Sequence, residues 1–297
     1  MKTKQPAMQF TSYQKIVLAL LAILQFTVVL DFMIISPIGD ILIKSLDITT
    51  KQFGLVVSSY AFSAATSGII IAGFVDKFDR KKVLVFFFIG FIIGTLFCAL
   101  SNSYNSLLIA RIVTGIFGGV IGSITLTIVS DLFLPNQRGR AMGMVQMAFA
   151  VSQILGIPFG LLIATKFDWH YTFFSIVLLS LVILAVILWK LKPINGHLKV
   201  KSDKNPLLHL WHIIKNRNYR VCFFSVIFLS VGGFMLMPFS SIFLVNNVHI
   251  TNEQLPLIFM ITGMSSIIVM PIVGKLSDQF PKYNIFLFGT VVSIIMA

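Results

Sequence analysis

Eight predominantly apolar runs of 18–25 residues dominate this sequence, and each is long enough to cross the hydrocarbon of a bilayer as a helix. They cover residues 16–38, 53–75, 83–100, 107–129, 142–165, 171–188, 221–245 and 255–273, and a ninth run begins at Ile285 and is still apolar at Ala297. With 57% hydrophobic and 11% charged residues, a chain of 297 residues has too little polar surface to cover such segments in water. Lipid is therefore the solvent. Inside lipid each backbone N–H and C=O must be paired within its own segment, which makes the fold an all-α membrane bundle. No small-residue cleavage site follows the first run, so it reads as a retained span. Cys98 and Cys222 each sit alone in an apolar run, in the manner of packing residues.

The formal charge of +13 raises the question of a nucleic-acid partner, and the positions of the charges answer it. Of 23 Lys and Arg, nineteen fall at one end of the spans, three (Lys44, Lys51, Lys166) at the other, and Arg111 lies inside a run. That asymmetry is a topology signal placing the N-terminus and the loop after span 6 in the cytoplasm. No basic face with interleaved aromatics forms a nucleic-acid groove. The expected location is the cell membrane, with the chain crossing it many times.

The basic stretch after span 6 divides the chain. Residues 1–190 are expected to form a six-helix bundle, and residues 221–297 part of a second one, comprising spans 7, 8 and the start of 9. Residues 191–220 form a cytoplasmic loop whose second half, NPLLHLWHIIKNR, is apolar on one face and predicts a helix lying on the inner leaflet. His209 and His212 there lack a third ligand and read as surface residues.

An internal repeat supports this division. ITTKQFGL at 48–55 matches ITNEQLPL at 250–257, an offset of 202, which also lays Asp76 on Asp278 and Phe78 on Phe280. FMIISP at 32–37 is similar to FMLMP at 234–238. Spans 1–3 thus correspond to spans 7–9 in the same direction, and parallel repeats around a central path are a transporter architecture. By the repeat, Ala297 corresponds to the middle of span 3, so the chain is expected to be truncated in its ninth span and, alone, to sustain no substrate gradient; a genuine nine-span protein is the alternative.

Four motifs carry chemistry. The loop between spans 2 and 3, AGFVDKFDRKK, holds Asp76, Lys77, Arg80, Lys81 and Lys82, and its repeat copy GKLSDQF holds Gly274 and Asp278. Span 4 contains RIVTGIFGG, with Arg111 followed by Gly115, Gly118 and Gly119. Span 5 contains ILGIPFG, with Gly156, Pro158 and Gly160, where small residues allow close helix approach and Pro bends the helix. Span 1 contains LDFMIISP, with Asp31 and Pro37.

Together these motifs resemble the major facilitator superfamily, specifically its twelve-span drug/proton antiporter branch and most closely the arabinose-efflux-permease-like group. The resemblance covers essentially the whole chain. Ala72 and Asp79 depart from the family's glycines in the first loop, and the span 5 motif has altered spacing. The resemblance implies a major-facilitator-type helical bundle, a monomer that exchanges a small molecule (drug, sugar or metabolite) for protons by alternating access. It implies a conformational-gating role for the loop residues. It implies no cofactor and no metal.

Asp31 and Arg111 are the ionisable residues deep within complete spans, and their depths agree. Asp31 lies about 7 residues from the non-basic end of span 1, roughly 10 Å, and Arg111 roughly 6–10 Å into span 4 from the same end. An acid and a base at one depth are expected to pair. The pair reads either as a structural tie between spans 1 and 4 or as a proton and substrate coupling site. Gln146 and Gln153 share one face of span 5 with Gly160 and read either as cavity amides or as helix-packing groups. No metalloprotease or nucleophile-elbow motif and no paired intramembrane acids support an enzyme, and no filter loop or charged ring supports a channel.

Overall fold

The computed structural model describes residues 10–71, 75–199, 215–279 and 281–296. Among these residues every regular element is helical. Helix α1 (Ser12–Ile34) starts at a capping box in which Thr11 Oγ1 accepts from the Gln14 N–H at 3.2 Å and Gln14 Oε1 accepts from the Thr11 N–H at 3.0 Å. It stops at Ile34, because Pro37 brings no N–H to continue the ladder, and span 1 resumes as the short helix α2 (Gly39–Leu46). Span 2 is α3 (Thr50–Ile71), span 3 is α4 (Arg80–Ala99) and span 4 is α5 (Tyr104–Leu132). Asp79, at one of the family's glycine positions, caps α4 by accepting from the N–H groups of Lys81 at 2.8 Å and Lys82 at 3.2 Å.

Span 5 is not one regular helix. Helix α6 (Pro135–Val151) leads into a wide turn at Ser152–Gly156, and α7 (Ile157–Lys166) follows. Pro158 removes one i→i−4 bond, and the Ile157 N–H donates instead to the Ser152 carbonyl five residues back. Span 6 is α8 (Trp169–Lys190), capped by Asp168. Span 7 is α9 (Arg217–Leu236), a tight turn at Met237–Phe239 around Pro238, and α10 (Ser240–Asn246). Span 8 is α11 (Leu255–Gln279), and α12 (Lys282–Met296) is the ninth apolar segment. The inner-leaflet helix expected after span 6 lies largely outside the described residues.

Packing follows the small residues. A Cβ placed on Gly115 would lie 2.1 Å from Ser63 Oγ, and one on Gly119 would lie 2.4 Å from Ala64 Cβ, so α3 and α5 touch nearly backbone to backbone. Gly156 and Gly160 likewise seat Leu30 and Ile34 of α1 against span 5. Span 8 crosses span 5 at the wide turn, where Gly263 lies against the backbone of Ile154.

Spans 1 and 7, the two copies of one repeat unit, meet at their proline breaks. Ser36 donates its hydroxyl to the Met237 carbonyl, and Ser241 donates to the Ser36 carbonyl. The Phe53 and Phe239 rings approach to 6.3 Å, and Asn252 Nδ2 donates to Asp40 Oδ2 at 3.3 Å. All of these contacts lie at the lysine-poor end of the bundle.

Candidate transport site

A cavity of about 660 Å³ lies below this seam, between spans 1, 2, 4, 5 and 7. Its walls are aliphatic and aromatic, with Phe32, Tyr60, Phe149 and Phe234 among them. Each ring is placed by its helix: Phe32 two residues before the end of α1, Tyr60 midway along α3, Phe149 two residues before the end of α6, and Phe234 two residues before the end of α9. Phe32 bridges the bundles, with its ring 5.3 Å from that of Tyr60 and 6.5 Å from that of Phe234.

Behind Tyr60 sits the charge pair. Arg111 Nη1 donates to Asp31 Oδ2 at 2.9 Å and to the Asp31 carbonyl at 3.4 Å, and both side chains are fully buried. Thr95 of α4 donates to Asp31 Oδ1 at 3.3 Å, so spans 1, 3 and 4 converge on one carboxylate. The equal depth of the two groups in the sequence thus corresponds to direct contact. Arg111 Nε and Nη2 have no hydrogen-bond partner among the described residues, and the Tyr60 ring covers the guanidinium at 4.5 Å from its carbon atom. An ion pair so deep persists only because each charge answers the other, and removing one partner strands the second.

The basic end carries a second cluster. Arg80 is buried, with Nε donating to Asp131 Oδ2 at 3.1 Å and Nη1 donating to the Val75 carbonyl at 2.9 Å. Lys81 Nζ donates to the Leu188 carbonyl at 2.9 Å, meeting the C-terminal end of α8, where the helix dipole favours a cation. Lys77 and Lys82 are exposed. Asp76 lies in the short turn Val75–Lys77, and Gly274 and Asp278 lie in the last turns of α11; these three fall outside the residues whose surroundings are described. Asp131, which receives Arg80, was absent from the sequence reading. Its signal was an acid at the basic end of span 4 with no charge near it in sequence.

Of the two readings open for Gln146 and Gln153, the cavity one does not fit their placement. Gln146 is exposed and Gln153 half-buried, and neither lines the cavity. The wide turn at Ser152–Gly156 holds an extra residue between Gln153 and Gly160, so Gly160 does not continue the face on which Gln146 and Gln153 lie. The amide in the cavity wall is Gln25 of α1, only 7% exposed, which the sequence shows only as a polar residue in an apolar span six residues before Asp31. Among the described residues no group of His, Cys, Asp or Glu is arranged to hold a metal.

Comparison with known proteins gives a consistent result. The family model of the Major Facilitator Superfamily matches residues 21–297. The MFS-type transporter YceJ of Bacillus subtilis is 25% identical over 267 residues, covering 89% of this chain and 67% of its own length. Multidrug resistance protein 3 of the same organism is 33% identical over 152 residues, which is 51% of this chain and 30% of that protein. A probable sugar efflux transporter of Helicobacter pylori (strain G27) is 28% identical over 193 residues, 65% of this chain and 48% of that protein. The chain therefore spans about two thirds of YceJ and less of the other two. Among solved structures, an inward-facing, unoccupied bacterial homologue of the human lysosomal transporter Spinster superposes with a TM-score of 0.69 at 19% identity, covering 92% of this chain and 65% of that one. A D-xylose–proton symporter superposes with a TM-score of 0.68 at 17% identity, covering 91% and 70%. At such identities these two likenesses describe the fold.

Proposed function

Because the chain belongs to the major facilitator superfamily, a family of membrane transporters and not of enzymes, we propose that it carries a small molecule out of the cytoplasm in exchange for protons. The observation that carries this reading is the Asp31–Arg111 pair, fully buried beside the central cavity and separated from it by one aromatic ring. A carboxylate there binds or releases a proton only when its contact with Arg111 changes. In the proposed cycle, rearrangement of spans 1 and 4 around a bound molecule alters that contact and so links proton movement to transport. The efflux direction draws on the relatives, which include a multidrug resistance protein and probable sugar efflux transporters.

Alternating access rocks one bundle against the other around a central site. In this reading the hydrogen bonds among Ser36, Met237 and Ser241 form the outer gate, and the basic loop with Asp76, Lys77, Arg80, Lys81, Lys82, Gly274 and Asp278 belongs to the inner one. Residues 1–190 act as one rocking body and the part after residue 220 belongs to the other. The orientation follows the Lys/Arg asymmetry, with the N-terminus in the cytoplasm.

Inverted membrane vesicles from cells expressing the gene test the reading. Asp31→Asn is expected to abolish proton-driven accumulation per inserted carrier, with inserted protein quantified in the same vesicles; undiminished accumulation per carrier would remove Asp31 from the mechanism. In a background without Cys98 and Cys222, an impermeant thiol reagent applied to whole cells should label Lys166→Cys and spare Lys199→Cys. The reverse pattern would overturn the orientation.

A further inference from the structure

Among the described residues the cavity wall is electrically neutral and nearly without unspent hydrogen-bonding groups, and four polar side chains reach it: Gln25, Ser36, Ser58 and Tyr60. Ser36 gives its hydroxyl to the Met237 carbonyl, and Ser58 gives its own to the Leu55 carbonyl at 3.3 Å. Tyr60 turns its ring face to Arg111 and seats its hydroxyl against the backbone of Gly118. Gln25 differs from these: it is more than nine-tenths buried, and its Oε1 has no partner among the described residues. Its amide faces the open side of Gly122, where an added Cβ would still stand 3.8 Å from Nε2.

No carboxylate or ammonium lines the cavity among the described residues. The nearest acid, Asp31, is fully buried and already answered by Arg111. A cationic molecule entering this space would lose its hydration with no free counter-charge in the wall. A sugar would turn several hydroxyls toward Phe, Val and Met side chains, each left unpaired at a cost. An aromatic body with one hydrogen-bonding group meets neither penalty: its rings pack on Phe32, Phe234 and Phe239, and its polar group pairs with the otherwise unpaired amide.

We infer that the cavity takes an uncharged aromatic molecule bearing a single hydrogen-bonding group, and that Gln25 is the residue selecting for that group. As placed, Oε1 is sealed and the amide offers a donor through Nε2 or, turned over, an acceptor through Oε1, so it tolerates either polarity in the ligand. The inference deepens the proposed function by naming a substrate class, and it rests on that reading only in taking the cavity as the transport path.

The test is direct binding to the 297-residue chain in lipid nanodiscs, with empty nanodiscs subtracted. The probes are 2-naphthol, naphthalene, ethidium and arabinose. Wild type is expected to bind 2-naphthol about fivefold more tightly than naphthalene, the effect of one net hydrogen bond. Ethidium and arabinose are expected to bind more weakly than 2-naphthol. Gln25→Leu should erase the preference for naphthol while retaining naphthalene binding, which also reports that the variant is folded. A preference that survives in Gln25→Leu, tighter binding of ethidium or arabinose, or no binding of any probe would each overturn the inference. Binding needs no gradient, so the two readings fail separately. Loss of proton-driven transport with an intact naphthol preference would count against proton coupling alone.

Discussion

The Tyr60 ring lies 4.5 Å from the guanidinium carbon of Arg111 and forms part of the wall between the buried charge pair and the cavity. Tyr60→Phe keeps that wall, whereas Tyr60→Leu removes the flat face and leaves Arg111 Nε and Nη2 open to the cavity. Tyr60→Phe is expected to change bundle stability by less than about 1 kcal/mol, and Tyr60→Leu to lower it by about 2–4 kcal/mol, combining lost packing with the lost cation–π contact. Denaturation in mixed micelles measures both. Equal losses for the two variants would assign the role to the hydroxyl instead of the ring.

The pair itself predicts a strong mutational coupling. Asp31→Asn or Arg111→Gln strands a charge or a strong donor group in a fully buried site, and each is expected to cost about 3–5 kcal/mol. Asp31→Asn with Arg111→Gln removes both charges together and is expected to cost clearly less than the sum of the single losses. A double-mutant cycle on bundle stability checks this, and simple additivity would contradict the observed contact.

At the lysine-poor end, Ser241 donates to the Ser36 carbonyl and so joins the breaks in spans 1 and 7. Ser241→Ala deletes that donor and is expected to favour separation of the two spans. Ser58 lines the cavity beneath the seam. In a background without native cysteines, Ser58→Cys is expected to react several-fold faster with an impermeant thiol reagent from outside when Ser241→Ala is also present. Unchanged labelling would mean that the seam holds without this bond.

Two glycines on one helix give opposite expectations. At Gly115 an added methyl group would collide with Ser63 Oγ at 2.1 Å and the Tyr60 carbonyl at 2.5 Å. At Gly122 the nearest atom is 3.8 Å away. Gly115→Ala should therefore destabilise the bundle by about 1–3 kcal/mol through overpacking, and Gly122→Ala should be neutral or slightly stabilising, since Ala favours helix. Thermal unfolding of both variants in detergent decides it.

Asp168 caps α8 outside the spans, where partial burial raises its pKa but hydrogen bonds from the His170 backbone N–H and ring outweigh that and hold its carboxyl below the ordinary 3.8. A depressed folded-state value means that its stabilisation is fully present above the unfolded value and is lost as pH falls through the folded one. Melting temperature is expected to fall with acidification below about pH 4 in wild type, and more shallowly in Asp168→Asn, with the two differing most near neutral pH. Parallel curves over the whole range would exclude the cap as a source of acid sensitivity.

The sequence alone determined which segments form long apolar helices, because lipid forces each apolar run to pair its backbone within itself whatever its neighbours are. It also determined the pairing of Asp31 with Arg111, because two charges at one depth in hydrocarbon have few other ways to be satisfied. The repeat aligned Pro37 with Pro238, though it showed neither that both helices break there nor that the breaks meet through Ser36, Met237 and Ser241. Which face of each helix points inward was decided only by the tertiary structure. A membrane helix is apolar on every side, so no polar stripe marks its inner face, and that face is set by where small residues let neighbours approach. Gln153 and Gly160 shared a face only on the assumption of a regular helix, and the wide turn at Ser152–Gly156, where span 8 packs, broke it. Gln25 stood in plain view in span 1, yet nothing local distinguished a cavity-facing amide from a lipid-facing or helix-packing one until α3 and α5 closed around it.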